Sequence, residues 1–488
     1  MFTSPLDALL IFMVTTPIVG WIAHKRCNQK ASGVYAFIGL SITMYFLYRL
    51  YEDVVEKSAI LVTGNNSGAV FFEACLEISF LGVFMAFIFA MIGLLAVTYS
   101  IKYMEHDSGL TEYYTLLLGM VAGMIGVVFA GDFFTLFVFW ELMCLASYAL
   151  VAFRKERWEP IEAGFKYLIM SAVGSITILL AMSFLYGMAG TLNFRSLSAG
   201  LETATPNVWL YGTLTLTLVG FGIKAAIVPF HMWLPDAHPA APAPVSALLS
   251  GALVQTGAIA LIRVLLTAFN SILGVWQTTL AVFAVLTMFV GNIIALMQYD
   301  IKRLLAYSTI AQMGYILLGF SAASQQGLTG SFFHIMNHAI LKSLLFLCAG
   351  GFIYRTGTRD LRKLEGIRRT MPVTGTLFAI GAIAIAAIPP LNGFWSEWMI
   401  VSACIETGML PFSALMAVNM LLSVAYYLRL IYITVLKEPT EMSEKAKDIP
   451  ALMLIPILIL AFFCIIIGIY PGPFVALAQN AASAALQM

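Results

Sequence analysis

An ammonium group stands where hydrocarbon is expected. Lys224 lies in the apolar stretch Val208–Leu234, whose centre reads Gly222-Ile223-Lys224-Ala225-Ala226-Ile227-Val228-Pro229-Phe230. A charged side chain at the centre of a bilayer costs roughly 2.5–3.5 kcal/mol on insertion scales, and nothing in packing requires it. Five residues on, Pro229 has no N–H. The carbonyl of Ala225 therefore loses its helical partner, and the helix is expected to break there. A charge beside a broken helix at membrane depth reads as part of an ion or proton path. The competing reading is a lysine that snorkels to the interface or bridges two helices statically. Lys224 lies roughly 16 residues into a ~25-residue span, which is deep for snorkelling.

Other ionisable groups in apolar stretches supply partners. Glu141, in Phe139-Trp140-Glu141-Leu142, lies mid-way along another span. A buried carboxylate needs a counter-charge, and Lys224 is the natural one, in a working pair or a static one. His334, His338 and Lys342 are spaced i, i+4, i+8. Each step turns the helix by about 40° and rises about 6 Å, so the three share one stripe. Histidine suits proton transfer because its ordinary pKa is near 6.5. Gaps of about 6 Å would need water between the groups. The alternative is a set of hydrogen-bonded core residues. A second break is expected at Pro389 and Pro390, which free the carbonyls of Ile385 and Ala386, and Glu397 follows it. Lys166 faces Glu162 at i+4, where a surface pair competes with a functional role. Arg263 and Arg429 sit nearer span ends and read as anchors. His231, Asp236 and His238 belong to the end of the broken span and the proline-rich loop Leu234–Pro244. That loop is expected to be rigid and to position the next helix, with its histidines open to proton access.

The elements that must hold these groups are membrane helices. Of the 488 residues, 61% are hydrophobic and only 10% charged, against about 25% charged in soluble domains, and the mean hydropathy is +0.92. This excludes a soluble enzyme or a nucleic-acid binder. About 14 segments are long enough to span, at 5–22, 32–50, 75–100, 112–130, 133–153, 161–188, 208–234, 244–268, 275–298, 304–322, 329–354, 372–405, 411–436 and 450–475. The first lacks a basic n-region and a small-residue cleavage site, so it is kept as a span. Basic residues cluster in alternate loops: Lys25/Arg26/Lys30, Arg154/Lys155/Arg157, Lys302/Arg303, Arg355–Arg369 and Lys437/Lys445/Lys447. The other loops hold mainly Lys57 and Arg195. The positive-inside rule puts both termini on the outer face. Proline breaks with nearby charges in the seventh and twelfth spans suggest two inverted five-helix repeats, at 112–268 and 275–436, flanked by 1–100 and 450–475. The six cysteines (Cys27, Cys75, Cys144, Cys348, Cys404, Cys464) form no C-x-x-C and read as small apolar residues. No nucleotide-binding glycine motif, haem motif or zinc spacing occurs, so no cofactor or metal is expected.

The run from Lys224-Ala225-Ala226-Ile227-Val228-Pro229-Phe230-His231 to Ser246-Ala247-Leu248-Leu249-Ser250-Gly251 closely resembles the hallmark of the proton-pumping antiporter-like subunits. Asn337-His338-Ala339-Ile340-Leu341-Lys342 and Pro389-Pro390-Leu391-Asn392-Gly393-Phe394 match too. That family includes the large membrane-arm subunits of respiratory complex I, related subunits of energy-converting membrane-bound hydrogenases, and the large subunits of multisubunit sodium/proton antiporters. The resemblance covers nearly the whole chain. It implies a 14-helix fold with two inverted five-helix repeats, a Glu141–Lys224 pair, and a central polar axis running to the twelfth helix. Some members carry lysine at the twelfth-helix position; here it is Glu397, which is more similar to one complex I subunit and to the hydrogenase-linked members. The eighth helix often has a central lysine, and here Gln255 stands in Leu253-Val254-Gln255-Thr256-Gly257. Glutamine orients water but carries no charge, so the relay step passes to His334 and His338 or fails. The chain ends soon after the fourteenth span, without the long lateral helix of the most distal complex I subunit.

The expected function is a proton-translocating, non-catalytic subunit of an oxidoreductase or translocase complex. Its partners are other membrane subunits, protons and the lipid bilayer, with no nucleic acid. The setting expected is a prokaryotic cell membrane. Proton transfer is assigned to Glu141, Lys224, His334, His338, Lys342 and Glu397, supported by Gln255, His231, His238 and Lys166, with helix breaks at Pro229, Pro389 and Pro390. When Glu141 pairs with Lys224 the ammonium is stabilised; when the carboxylate leaves, the buried charge gives up its proton. One rival is a subunit of a sodium/proton antiporter, with Glu141, Asp132, Glu397 and freed carbonyls as oxygen ligands. The other is a non-conducting structural subunit, which Gln255 makes conceivable.

Overall fold

The structure, a computed structural model, describes residues 4–25, 30–57, 61–64, 75–202 and 206–487. Arg26 and Cys27 lie outside the described residues, as do the side chains of Lys25 and Lys57. The chain is an all-α polytopic membrane protein. A helical hairpin α1 (Pro5–Lys25) and α2 (Ala31–Lys57) leads into a short antiparallel pair, β1 (Leu61–Gly64) and β2 (Cys75–Ile78). Then follow α3 (Phe80–Tyr103), α4 (Leu110–Phe129), α5 (Phe133–Val151), α6 (Trp158–Ala189), the short α7 (Phe194–Glu202) and α8 (Val208–Lys224). Next come α9 (Leu234–Ala240), α10 (Ala243–Leu248) joined through a π-helical turn to α11 (Val254–Ala268), α12 (Leu273–Leu296), α13 (Ile301–Ser321) and α14 (Gln325–Thr356). The last are α15 (Pro372–Ile385), α16 (Asn392–Glu406), α17 (Leu410–Ile431), the single turn α18 (Glu441–Glu444), α19 (Ala451–Ile469) and α20 (Gly472–Leu486). Twelve segments among the described residues are long and apolar enough to cross a membrane, and α8 and α15 are shorter apolar helices that end at the breaks.

Three expectations need correction. The third span does not begin at residue 75. Residues Cys75–Ile78 are extended because Cys75 N–H is held by the Asp132 carboxylate at 3.0 Å and β2 pairs with β1; the helix starts after the Ser79 cap. The segment Leu234–Pro244 is not a loop throughout: Leu234–Ala240 is a helix whose His238 is fully buried. After the fourteenth expected span a further helix, α20, packs Ala478, Ala481, Ala482 and Ala485 inward against α14 and α3. Those four alanines recur at i, i+3, i+4, i+7, a helical signature.

The core is built around α10–α11, α13 and α14, which are buried along their length, while α1, α2, α12 and α17 present apolar side chains outward. The basic loops lie together on one face, cross-linked by Arg154–Asp107 at 2.8 Å, Arg359–Glu159 at 2.7 Å, Arg359–Asp300 at 3.2 Å and Lys437–Glu365 at 2.6 Å.

Both broken helices end the same way, and earlier than the prolines. In the first, Ala226 takes φ 53°, its N–H reaches the Ile223 carbonyl at 3.2 Å, and Ile227 N–H reaches Gly222 at 2.9 Å. In the second, Ala387 takes φ 55°, with Ala387 to Ala384 at 3.2 Å and Ile388 to Ile383 at 3.4 Å. This is the Schellman pattern, with alanine in the left-handed position that glycine usually fills. Pro229, Pro389 and Pro390 follow the ended helices. The break therefore falls directly after Lys224, and two of the last helical carbonyls are taken up by the chain itself.

Gly257 lets α11 lie against that end. A Cβ there would meet Ala225 N at 2.8 Å and the Lys224 carbonyl carbon at 3.1 Å, both backbone atoms. Gly257→Val is accordingly expected to push α11 off the break. The expected cost is about 1–3 kcal/mol, read as a lowered melting midpoint of the purified complex; an unchanged midpoint would show that this approach is slack.

Candidate functional site

Three polar groups of side chains occupy the interior. The first surrounds Lys224, the last residue of α8, which is 1% exposed. Its Nζ donates to the Tyr167 hydroxyl at 2.5 Å and to Ser147 Oγ at 3.4 Å. The rings of Tyr167, Tyr148 and Trp233 lie 4.6, 5.5 and 5.9 Å from it. Glu141 of α5 is only half-buried and accepts a short hydrogen bond from Ser175 of α6. The expected Glu141–Lys224 ion pair is not made in this structure. The physical reason is the partners at hand: the Ser175 hydroxyl takes up the carboxylate, and the Tyr167 and Ser147 hydroxyls take up the ammonium.

The second group lies on α14. His338 Nδ1 meets Gln255 Nε2 at 2.7 Å, and the same amide nitrogen donates to the Ile335 carbonyl at 3.1 Å. That carbonyl contact orients the amide, so His338 Nδ1 accepts and its Nε2 carries the proton in the neutral ring. Gln255, which carries no charge of its own, is thus in direct contact with one of the two histidines to which the relay step passes. One turn away, His334 Nε2 meets Gln312 Oε1 at 2.6 Å and its Nδ1 meets Ser396 Oγ at 3.0 Å. Gln312 Nε2 in turn donates to Glu397 Oε1 at 3.3 Å. A string Glu397–Gln312–His334 therefore runs from α16 through α13 to α14, and the His334 and His338 ring centres are 6.3 Å apart. Asn337 and Asn392 bond each other across the second break at 3.0 Å, tying α14 to α16.

The third group is Lys342, fully buried on α14, which donates to Ser308, to the Leu305 carbonyl at 3.2 Å and to the Tyr427 hydroxyl at 3.3 Å. His238 stacks on Phe346 with ring centres 4.6 Å apart. Among the described residues no side chain meets the ring nitrogens of His238 or His231.

Other expected residues fall outside these groups. Lys166 pairs with Glu162 at 2.8 Å and Asp236 at 3.2 Å with its side chain half exposed, the surface arrangement. Arg263 holds the carbonyls of Val127, Val128 and Ala130 at the end of α4, and Arg429 holds that of Leu296 at 2.5 Å. Asp132 caps α5 through Thr135 and holds Cys75, so its oxygens are occupied. Lys302, read as part of a surface cluster, is 2% exposed and donates to the Ala241 carbonyl at 2.6 Å.

Sequence reasoning did not single out Tyr167, Trp233, Ser147, Ser175, Gln312, Ser308 or Tyr427. Ser308 and Gln312, polar at i, i+4 on an apolar span, carried a readable signal; the neutral aromatics did not.

A family model described as NADH:quinone oxidoreductase/Mrp antiporter, TM, matches residues 130–423, and one described as NADH-Ubiquinone oxidoreductase (complex I), chain 5 N-terminus, matches residues 66–114. The chain belongs to this antiporter-like family. Glu141, Lys224, Gln255, His334, His338, Lys342 and Glu397 all lie in the first matched region. The antiporter-like chain is 32% identical over 481 residues to F(420)H(2) dehydrogenase subunit N of Methanosarcina mazei, covering 97% of each. It is 29% identical over 470 residues to a Na(+)/H(+) antiporter subunit of Alkalihalophilus pseudofirmus, covering 96% of this chain and 94% of that one. Its structure matches a chain of the membrane-bound sulfane sulfur reductase, an archaeal respiratory membrane complex, with TM-score 0.90 and 28% identity over 99% and 97% of the two chains.

Gln312 is the joint of the string, since it satisfies His334 and Glu397 at once. Gln312→Leu leaves both without that partner in an apolar interior. A loss of about 1–3 kcal/mol is expected, measured as earlier thermal unfolding of the assembled complex; wild-type unfolding would mean the string is not held by Gln312.

Proposed function

We propose that the chain moves protons across the membrane as the antiporter-like subunit of a multisubunit complex, driven by redox chemistry carried in other chains. The observation that carries the reading is the Glu397–Gln312–His334 string beside the His338–Gln255 pair, every side chain of which is buried. Ionisable groups at membrane depth are costly and are kept where charge must move. The likeness to a dehydrogenase subunit and to a chain of a respiratory complex supports a redox drive. The similarity to a Na(+)/H(+) antiporter subunit supports the second reading, a sodium/proton exchanger. Protons are favoured because Asp132 is committed to capping α5, and Glu141 and Glu397 sit in separate groups rather than one oxygen cluster. The third reading, a non-conducting subunit, rests on Gln255; its direct bond to His338 instead supports passage through histidine.

The roles follow the three groups. Lys224 carries a proton between Glu141 and the axis; His334 and His338 pass it along α14, with water spanning the gap between the rings; Lys342 and Glu397 terminate the route, and His231 and His238 admit protons. Two inverted repeats, 112–268 and 275–436, frame the axis within 14 crossings. Supporting this, Asp132 bridges Asn193 at the start of α5 and Asp300 bridges Asp360 at the start of α13, two equivalent contacts one repeat apart. The basic face is assigned to the cytoplasm of a prokaryotic cell and both termini to the outside.

Lys224→Met is expected to leave the complex assembled and abolish proton translocation in proteoliposomes, whereas Glu141→Asp should keep part of it and Glu141→Gln little. Replacing His334 and His338 together with leucine is expected to stop translocation as completely. Wild-type pumping by Lys224→Met, or by the double histidine variant, would overturn the reading.

A further inference from the structure

The two halves of the chain repeat each other's contacts and differ in where the charges stand. Helices α6 and α14 are both 32 residues long, and each closes on a left-handed glycine, Gly190 and Gly357, both at φ 71°. Arg263 holds carbonyls at the end of α4, and Arg429 holds the last carbonyl of α12. Ala226 and Ala387 turn the two breaks alike. Counted back from the two glycines, Ser175 of α6 and Lys342 of α14 occupy the same position. Each reaches across to the preceding helix of its own half: Ser175 to Glu141 on α5, Lys342 to Ser308 on α13. Serine against carboxylate in one half is thus lysine against serine in the other. The breaks show the opposite exchange. Lys224 ends the helix before the first break, and Glu397 lies on the helix after the second. Each half therefore has one carboxylate and one ammonium at these positions, with their places reversed.

Lys342 and Glu397 meet the same face of α13. Lys342 donates to Ser308, and Glu397 accepts from Gln312 at 3.3 Å. Ser308 and Gln312 are spaced i, i+4, so these two contacts lie about 6 Å apart along the helix. Tyr427 of α17 is in reach of both charges: its hydroxyl accepts from Lys342 at 3.3 Å, and it feels the charge of Glu397. All five side chains are fully buried. Among the described residues nothing meets Glu397 Oε2. An unpaired carboxylate oxygen is costly in an apolar interior. The Lys342 ammonium is the cation at hand to satisfy it, directly or through water.

We propose that Lys342 and Glu397 are the working acid–lysine pair of the second half, the counterpart of Glu141 and Lys224 with the polarity reversed. The pairing rests on the reading of this interior as a proton route, and it joins the second and third polar groups into one. Ser308 and Gln312 hold the two charges apart at rest, as Ser175 and the Tyr167 and Ser147 hydroxyls do in the first half. A proton passing from the Lys342 ammonium to the Glu397 carboxylate leaves an amine and a carboxylic acid, so two buried charges vanish together. Release of that proton from Glu397 and uptake of another by Lys342 restore both charges. One proton has then moved past this point.

The test is charge reversal and exchange in the reconstituted complex, read as the initial rate of proton translocation. Lys342→Glu and Glu397→Lys each set two like charges near one another, and each is expected to slow translocation by about tenfold or more. The double variant carrying both substitutions again has one acid and one lysine, and it is expected to run several-fold faster than either single variant. A double variant no faster than the singles, or a single reversal that pumps like the wild type, overturns the pair. Where a reversal prevents assembly, the neutral variants Lys342→Met, Glu397→Gln and their combination are compared by the thermal midpoint of the assembled complex. Coupled charges predict that the combination lowers the midpoint by less than the two single shifts together. Additive shifts overturn the pair. Failure of either kind, with Lys224→Met still abolishing transport, removes the second pair and leaves the proton-route reading standing. Normal pumping by Lys224→Met would instead overturn that reading, and the pair with it.

Discussion

Hydrocarbon offers no partner to a polar group, and this constraint organises the whole molecule. Every break in a helix and every charge must be satisfied by the chain itself. The two interrupted helices answer for their backbone by turning through Ala226 and Ala387, which closes the last carbonyls onto the chain before the prolines begin. Side chains from neighbours finish the work: Thr287 receives Val228 N–H at 3.0 Å at the first break, and Asn337 receives and returns hydrogen bonds with Asn392 at the second. The breaks are thus joints with specified partners.

The same constraint explains how charges are arranged along the interior. Among the described residues no carboxylate lies against Lys224 or Lys342; each is held by hydroxyls, with a carbonyl added for Lys342. Glu397 and His334 are joined by a neutral amide, Gln312, which donates to one and accepts from the other, while Gln255 donates to His338. A tight buried ion pair would be static, because separating it leaves two unpaired charges. Neutral bifunctional partners hold a group in either protonation state, which suits groups whose charge changes during work.

The fold was legible because its signals are strong. Apolar length, proline interruption and alternate basic loops located the helices and both interrupted ones, and the i, i+4, i+8 spacing put His334, His338 and Lys342 on one buried helix face. The misses have physical causes. The strand at Cys75–Ile78 depends on a carboxylate 57 residues away, which no local pattern announces. The end of α8 at Lys224 rather than nearer Pro229 depends on an alanine adopting a left-handed backbone, a conformation alanine does not advertise. Tyr167 is an ordinary residue of an apolar span until the fold brings its hydroxyl to the Lys224 ammonium. Lys302 groups with Arg303 as a basic loop cluster, but one residue of helical rotation turns it inward, onto the Ala241 carbonyl.

The central claim is that this interior carries protons, with no need for another cation. The direct measurement is ion flux in proteoliposomes holding the whole complex, with a pH-sensitive dye and sodium uptake followed together, in sodium-free medium and with sodium added. The account predicts full proton movement without sodium and no sodium uptake coupled to turnover. Proton movement that stops in sodium-free medium, or sodium carried in fixed ratio to turnover, would contradict it.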